Sequence, residues 1–129
     1  VSLLTWDPES EGFWLIQDYF PELLELDRAI FPTMKEIQST LGAVSIKPIP
    51  IPADCVDGFL GAYWQRPSAY LDAKVRSGMS SFSRIPNVEE RVKMLQQDIV
   101  SGAWQRRHAS LRLENSLDIG YRLVSAAIQ

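Results

Sequence analysis

The amino-acid sequence predicts an α/β domain that is mostly helical by residue count. Three observations carry that reading. Apolar, β-prone runs stand near both ends of the chain, a proline-punctuated apolar alternation stands in the middle, and segments with helical spacing fill the rest. At 129 residues, with 46% apolar and 22% charged side chains, the chain has room for one domain with a substantial core and too little for two ordinary ones.

Residues 1–6, VSLLTW, are apolar and β-prone and are closed by the turn-forming DPES, which predicts a short buried strand. Helices are expected over 11–41. Between Gly12 and Phe20, residues Phe13, Ile16, Gln17 and Phe20 recur at helical spacing, with Trp14 and Tyr19 on the flanks. Pro21 either kinks that helix or opens the next one, PELLELDRAI, as its first residue. TMKEIQSTLG is the clearest helix of the first half: Thr33 is placed to cap it, Glu36 to complete a capping box, Met34, Ile37 and Leu41 to form its apolar stripe, and Gly42 to end it.

An edge strand is expected over 43–52, where Val44 and Ile46 alternate before Ile49 and Ile51. Proline cannot donate to a sheet ladder, so Pro48 and Pro50 keep this segment out of the centre of a sheet. A helical block is expected over 55–112. DGFLGAYWQR and PSAYLDAKVRSGMSSFSRI read as two or three short helices, the second opening on Pro67. NVEERVKMLQQDIVSGAWQRRHASLR reads as one long helix with Asn87 as cap, Glu90 at the capping-box position, and Val88, Val92, Leu95, Ile99 and Ala103 on one face. A closing strand is expected over 117–128, where Leu117, Ile119, Tyr121 and Leu123 alternate. Three strands make a thin sheet for one domain, so the chain reads as part of something wider.

The totals also bound function. A net charge of −3, with no basic stripe, gives no reason to expect nucleic acid or an anionic membrane as partner. A single cysteine, Cys55, allows no disulfide framework and fits a reducing compartment, so a cytoplasmic location is expected. No apolar run approaches the roughly 20 residues a membrane span needs. The opening residues have no basic n-region, so no signal peptide is expected, and a start on strand-like residues without Met leads us to expect preceding chain.

Several chemistries are absent as motifs. There is no P-loop and no dinucleotide glycine fingerprint, since Gly58 and Gly61 have the wrong context. There is no G-x-S-x-G elbow, and one histidine (His108) with one cysteine cannot build a dedicated zinc site, so no metal is expected. The run DCVD has two readings. Asp54 or Asp57 could anchor a substrate or act as a general base beside Cys55, or Asp54 could cap a helix with Asp57 at its third position, which explains both acids without a ligand. Tyr63, Trp64 and Tyr70 with Arg66, and likewise Trp14, Tyr19 and Phe20, could line a pocket or pack a core. Arg106 and Arg107 suit a helix C-terminus without any phosphate, and Ser80 and Ser81 read as surface residues because no base can be assigned to them.

Taken together, LLTWDP, FWLIQDYFPE, IPIPADCVDGFLGAYWQRPSAYLD, VRSGMSSFSRI, DIVSGAWQRRH and LDIGYRLVSA resemble, in order along nearly the whole chain, the C-terminal half of class I S-adenosylmethionine-dependent methyltransferases of the type-11-like group. The resemblance implies a partial Rossmann-like sheet comprising the family's last three strands, one of them antiparallel, with residues 55–112 as a large helical insertion beside the substrate entrance. The family's glycine-rich turn and ribose-holding acid have no counterparts here, so no cofactor-binding residue can be carried over, and no tight binding of S-adenosylmethionine is expected from this chain alone. Substrate-facing roles fall to Trp14, Tyr19, Asp54, Asp57, Tyr63, Trp64 and Arg66, and no residue is compelled to be catalytic. The implied partners are a small-molecule methyl acceptor and a missing N-terminal half, or else a second copy of the chain. The implied function is the substrate-side portion of a methyltransferase, inactive alone, with two alternatives: a non-enzymatic binding or oligomerisation module derived from that fold, or one chain of a two-chain enzyme.

Overall fold

A computed structural model describes residues 2–126. Strand β1 (Ser2–Trp6) leads through a turn at Asp7–Ser10 into a π-helical turn, Leu15–Tyr19, and then helices α1 (Pro21–Ile30) and α2 (Met34–Leu41). Strands β2 (Val44–Pro48) and β3 (Ile51–Pro52) follow. After a run of turns come a 3-10 turn (Pro67–Leu71), helix α3 (Ala73–Ser77) and a second 3-10 turn (Ser80–Arg84). Helices α4 (Val88–Ser101) and α5 (Ala103–Arg107), a last 3-10 turn (Ala109–Leu113) and strands β4 (Ser116–Leu117) and β5 (Tyr121–Ala126) complete the order.

The main sheet has the order β1-β5-β2, with β5 antiparallel to both neighbours; Trp6 pairs with Tyr121 and Pro48 with Arg122. β2 therefore lies on an edge, as its proline requires. The expected 43–52 strand is divided, because Pro50 interrupts it and Ile51 turns away to pair with Leu117 in a separate two-stranded ladder. The expected 117–128 strand is divided as well. Gly120 adopts φ +112° and donates its amide to the Asp118 carboxylate, so the chain turns between β4 and β5. Residues 127 and 128 of that expectation, and Val1 of the first strand, lie outside the described residues.

Local rules hold where side chain and backbone agree. Thr33 Oγ1 accepts the Glu36 amide at 3.1 Å, and Gly42, at φ +80°, ends α2. Pro21 and Pro67 each open their helical segment. Elsewhere tertiary demands win. The Phe20 amide bonds to Leu15 O, a π-type step that rotates Gln17 outward and brings Trp14, Leu15, Ile16, Tyr19 and Phe20 inward, so Gln17 is not on the buried face. Asn87 adopts a left-handed conformation without a side-chain cap bond, and Gly102, at φ +84°, breaks the expected long helix into α4 and α5.

The largest departure is at 57–66, which forms turns instead of a helix. Its carbonyls are captured by side chains. Tyr70 Oη donates to Leu60 O at 2.6 Å and Arg66 Nη2 to Ala62 O at 3.1 Å, while the amides of Ala62 and Arg66 make only short turns to Phe59 and Tyr63. The core lies between the sheet and the helical block, around Trp14, Leu15, Phe20, Leu23, Trp64, Tyr70 and Leu95. Each such aliphatic or aromatic side chain contributes roughly 1.5–3 kcal/mol through burial. The Arg91–Glu22 ion pair ties α4 to α1 over this core.

Candidate functional site

Most of the polar atoms on the large buried aromatics are spent on backbone carbonyls. Trp14 Nε1 donates to Trp64 O and Trp64 Nε1 to Ile51 O, each at 2.8 Å, and Trp6 Nε1 donates to Ile119 O at 2.9 Å. Trp14 is 4% exposed and Trp64 0%, so these two candidates are core pillars that face no open space. Arg66 stacks over the Tyr63 ring at 4.7 Å and donates to Cys55 O at 2.8 Å, clamping the 55–66 turns. Asp54 and Asp57 are exposed and cap no helix, because none begins there. The capping explanation of DCVD is therefore corrected.

Tyr19 is buried, but its hydroxyl reaches a polar cluster at the surface. It donates to Asp98 Oδ2 at 2.5 Å, and Arg107, Asp18 and His108 complete the cluster. Burial and the Asp98 carboxylate push the Tyr19 hydroxyl well above the tyrosine range, and burial holds His108 below the usual histidine value against the opposing pull of Asp18. This cluster joins the π turn to α4 and α5, with every carboxylate facing a donor.

A different site stands open. A cleft of about 110 Å³ lies where β1 ends and β5 begins. Its walls are Trp6, Phe13, Ile16, Phe31, Leu60 and Tyr121, with Asp27 and Ser81 as the acidic and hydroxyl-bearing residues of the lining. In open α/β sheets, ligands bind outside the carboxyl ends of the strands, and this cleft adjoins the carboxyl end of β1.

The chain builds this cleft with some precision. Gly120 is needed because a Cβ there would come within 2.4 Å of Trp6 Nε1 and 2.3 Å of Ser10 Oγ, so the Trp6 indole could not otherwise seat on Ile119 O. Gly61 leaves room for Tyr121, whose Cε2 would lie 2.9 Å from an added Cβ. Trp6 and Phe31 meet edge to face at a centroid distance of 6.0 Å.

Asp27 is the chemically distinctive residue. It sits in the middle of α1, one turn beyond the fully buried Leu23, and is itself 8% exposed. No side-chain or backbone donor bonds to its carboxylate among the described residues, and burial raises its pKa from 3.8 to about 6. Its neighbour Arg28 turns away to Pro8 O. The titratable group that feels Asp27 is Tyr121, whose hydroxyl burial pushes up to about 12. The expected substrate-facing residues do not include Asp27, Trp6, Phe31 or Tyr121. A sequence signal for Asp27 does exist: Leu23, Asp27 and Phe31 recur at i, i+4 and i+8, which places a carboxylate in an apolar stripe.

Among the described residues, no three His, Cys, Asp or Glu side chains cluster as metal ligands, and no helix is long and apolar enough to cross a membrane. A nucleotide-like donor has no cradle here either. β1 passes into the Asp7–Ser10 turn, β2 runs on into β3, and Gly12, the one glycine between β1 and the π turn, is pressed against Asp118 O, 2.7 Å from where its Cβ would be. The described residues therefore do not fit S-adenosylmethionine.

No protein-family model and no curated protein matches the chain. Among solved structures it is similar to a protein of Anabaena variabilis described provisionally as a methyltransferase from an antibiotic biosynthesis pathway. The two share 35% identity and a TM-score of 0.88 over 98% of this chain. The chain spans about half of that protein, 54% of its length. The similarity supports a methyltransferase-like α/β fold, which is as far as it extends for this chain.

Proposed function

We propose that the chain is the acceptor-side portion of a methyltransferase that uses S-adenosylmethionine and acts on a small molecule. The observation that carries this reading is the Asp27 cleft, which lies beside the carboxyl end of a sheet strand in a chain similar over 98% of its length to a protein described as a methyltransferase. The donor supplies the methyl group when bound, and elements outside the described residues hold it. This chain's contribution is to bind and orient the acceptor. Aromatic walls flank the acceptor, and Asp27 accepts a hydrogen bond from it and fixes its attitude toward the cleft mouth. In this reading Trp14 and Trp64 are core residues, and Asp54 and Asp57 stand exposed outside the lining of the cleft. Alone, the chain is inactive.

The outer edge of β1 supports the proposal that a further segment completes the sheet. β1 pairs only with β5 among the described residues, and Leu4 is 63% exposed beside that edge. The same edge favours a second reading, a non-enzymatic module that self-associates through β1. The test is donor turnover in the whole protein from its native source, with its intact mass, beside the isolated 129-residue chain. The first reading expects turnover in a whole protein well above 14.6 kDa, a large drop with Asp27→Asn, and none from the chain alone. Turnover by the chain alone would overturn it. A native mass of 14.6 kDa, with a stoichiometric dimer that Leu4→Lys dissolves, would replace it with the module.

A further inference from the structure

We infer that the cleft recognises an organic cation, so that the acceptor carries a positively charged nitrogen as a recognition group held by Asp27 between the aromatic walls of Trp6, Phe31 and Tyr121, while the atom that takes the methyl group is a different one with a free lone pair. This inference rests on the reading of the cleft as the acceptor site and narrows the acceptor to a chemical class.

Asp27 leaves the cleft electrostatically unbalanced. A carboxylate on a residue that is only 8% exposed normally has an Arg, a Lys or several N–H donors around it, because a partly desolvated charge without a partner is unfavourable. Asp27 has none of these. Arg28, the cation beside it on α1, bonds to Pro8 O, and the other ion pairs of the described residues are all made elsewhere. The group that faces Asp27 from β5 is the Tyr121 phenol, which is neutral at physiological pH. The missing partner is therefore a positive charge, and the opening of the cleft is where one can enter.

The walls select among donors. A neutral hydroxyl could bond to Asp27 but would gain nothing from the rings, whereas an ammonium is attracted by their quadrupoles as well as by the carboxylate. An anion would be repelled by both. Size narrows the class further: about 110 Å³ is less than the ~150 Å³ of an apolar cavity that takes benzene, so the cleft fits an alkylammonium head of a few heavy atoms, with the remainder of the molecule outside. Asp27 in its charged form is the partner such a head requires, and above about pH 6 that form predominates.

The experiment is a titration of the 129-residue chain at about pH 8 with trimethylammonium chloride, and in parallel with the neutral isostere tert-butanol, reading the Trp6 indole N–H and the Asp27 carboxyl resonances by NMR. A saturable shift is expected at both positions with the cation. Binding should be weaker by at least about tenfold for tert-butanol and for the cation with Asp27→Asn. Phe31→Leu, which keeps the carboxylate, should weaken the cation and leave tert-butanol unchanged. Equal binding of the two probes, no saturable shift with either, or a cation affinity indifferent to Asp27→Asn would each overturn the inference. The outcome is separable from that of the wider reading. Cation binding without donor turnover in the whole protein refutes the methyltransferase reading alone, and turnover on neutral acceptors without cation binding refutes this inference alone.

Discussion

Replacing Asp27 with asparagine should make the protein more stable above pH 6, although it is a buried polar residue in a helix. Asp27 has its pKa raised by burial from 3.8 to about 6. A carboxyl group whose folded pKa lies above its unfolded value favours folding while it is protonated, and that advantage is lost as pH rises through the folded pKa. The shift of about two units corresponds to at most about 3 kcal/mol at 1.36 kcal/mol per unit. The cleft is open to solvent on one side, which screens the charge, so roughly 1–2 kcal/mol is the working figure. Asparagine has the same shape and no charge to desolvate. For a chain of this length the gain should appear as a rise in Tm of about 4–8 °C near pH 7.5, shrinking toward zero near pH 4. Thermal unfolding followed by tryptophan fluorescence or far-UV circular dichroism between pH 4 and 8 reads both ends. A Tm for Asp27→Asn at or below that of the parent at pH 7.5, or a difference independent of pH, would sink the argument, because it would mean that the carboxylate has a compensating partner in the fold.

The other expectations test how the cleft and its supports are built. His108 has its pKa held below 6.5 by burial, so stability should fall as pH drops through 6.5; this loss opposes the gain from Asp27 and should stand out in acid titrations of the Asp27→Asn protein, then flatten when His108→Gln is added. Gly120→Ala should cost about 2 kcal/mol or more in urea unfolding, because the residue is held at φ +112° with Trp6 Nε1 and Ser10 Oγ in the way, and near-UV dichroism should report the displaced indole. Trp64→Phe should cost about 1–3 kcal/mol by leaving Ile51 O without its donor, whereas Asp54→Ala and Asp57→Ala should stay within about 0.5 kcal/mol of the parent in the same assay.

How much of this was legible in the sequence depended on whether a local rule or a distant partner decided the geometry. The Thr33 cap, the Gly42 stop, the helix starts at Pro21 and Pro67 and the edge position of β2 were readable, because each follows from one residue's own backbone or side chain. The turns at 57–66 were not. Their helical periodicity is real, but Tyr70, ten residues beyond Leu60, takes that residue's carbonyl and denies it to a helix. The same competition explains the site. Trp14, Trp64, Tyr63 and Arg66 stood out as chemically rich side chains, yet they use that chemistry on backbone groups brought near only by the fold. Asp27 was hidden in an ordinary amphipathic helix because acidic residues on helices are common. Its position four residues from Leu23 and four from Phe31 distinguishes it once the stripe is known to be buried.

That contrast is the strongest physical reason for placing function at Asp27 and not among the aromatics. In this fold Trp6, Trp14, Trp64 and Tyr70 each return a polar atom to a main-chain carbonyl, and the carboxylates Glu22, Asp98 and Asp118 each meet a cation or a hydroxyl. Among the described residues the buried side-chain atoms left without a partner are Glu22 Oε2, Arg66 Nε, Trp104 Nε1 and Gln105 Oε1; Asp27 differs from them because it lines an open cleft. A carboxylate with no protein donor at an open cleft differs in kind: it weakens the empty fold, attracts positive charge, and keeps its bonding capacity for solvent or for a ligand that enters the cleft. A residue whose interaction is absent from the empty protein and available to a ligand is what selective binding requires, and Asp27 stands on helix α1, a regular element that fixes its backbone before binding. The stability of the Asp27→Asn protein and its cation affinity should therefore move in opposite directions, and a variant that lost both would place Asp27 in the fold's support and remove it from the site.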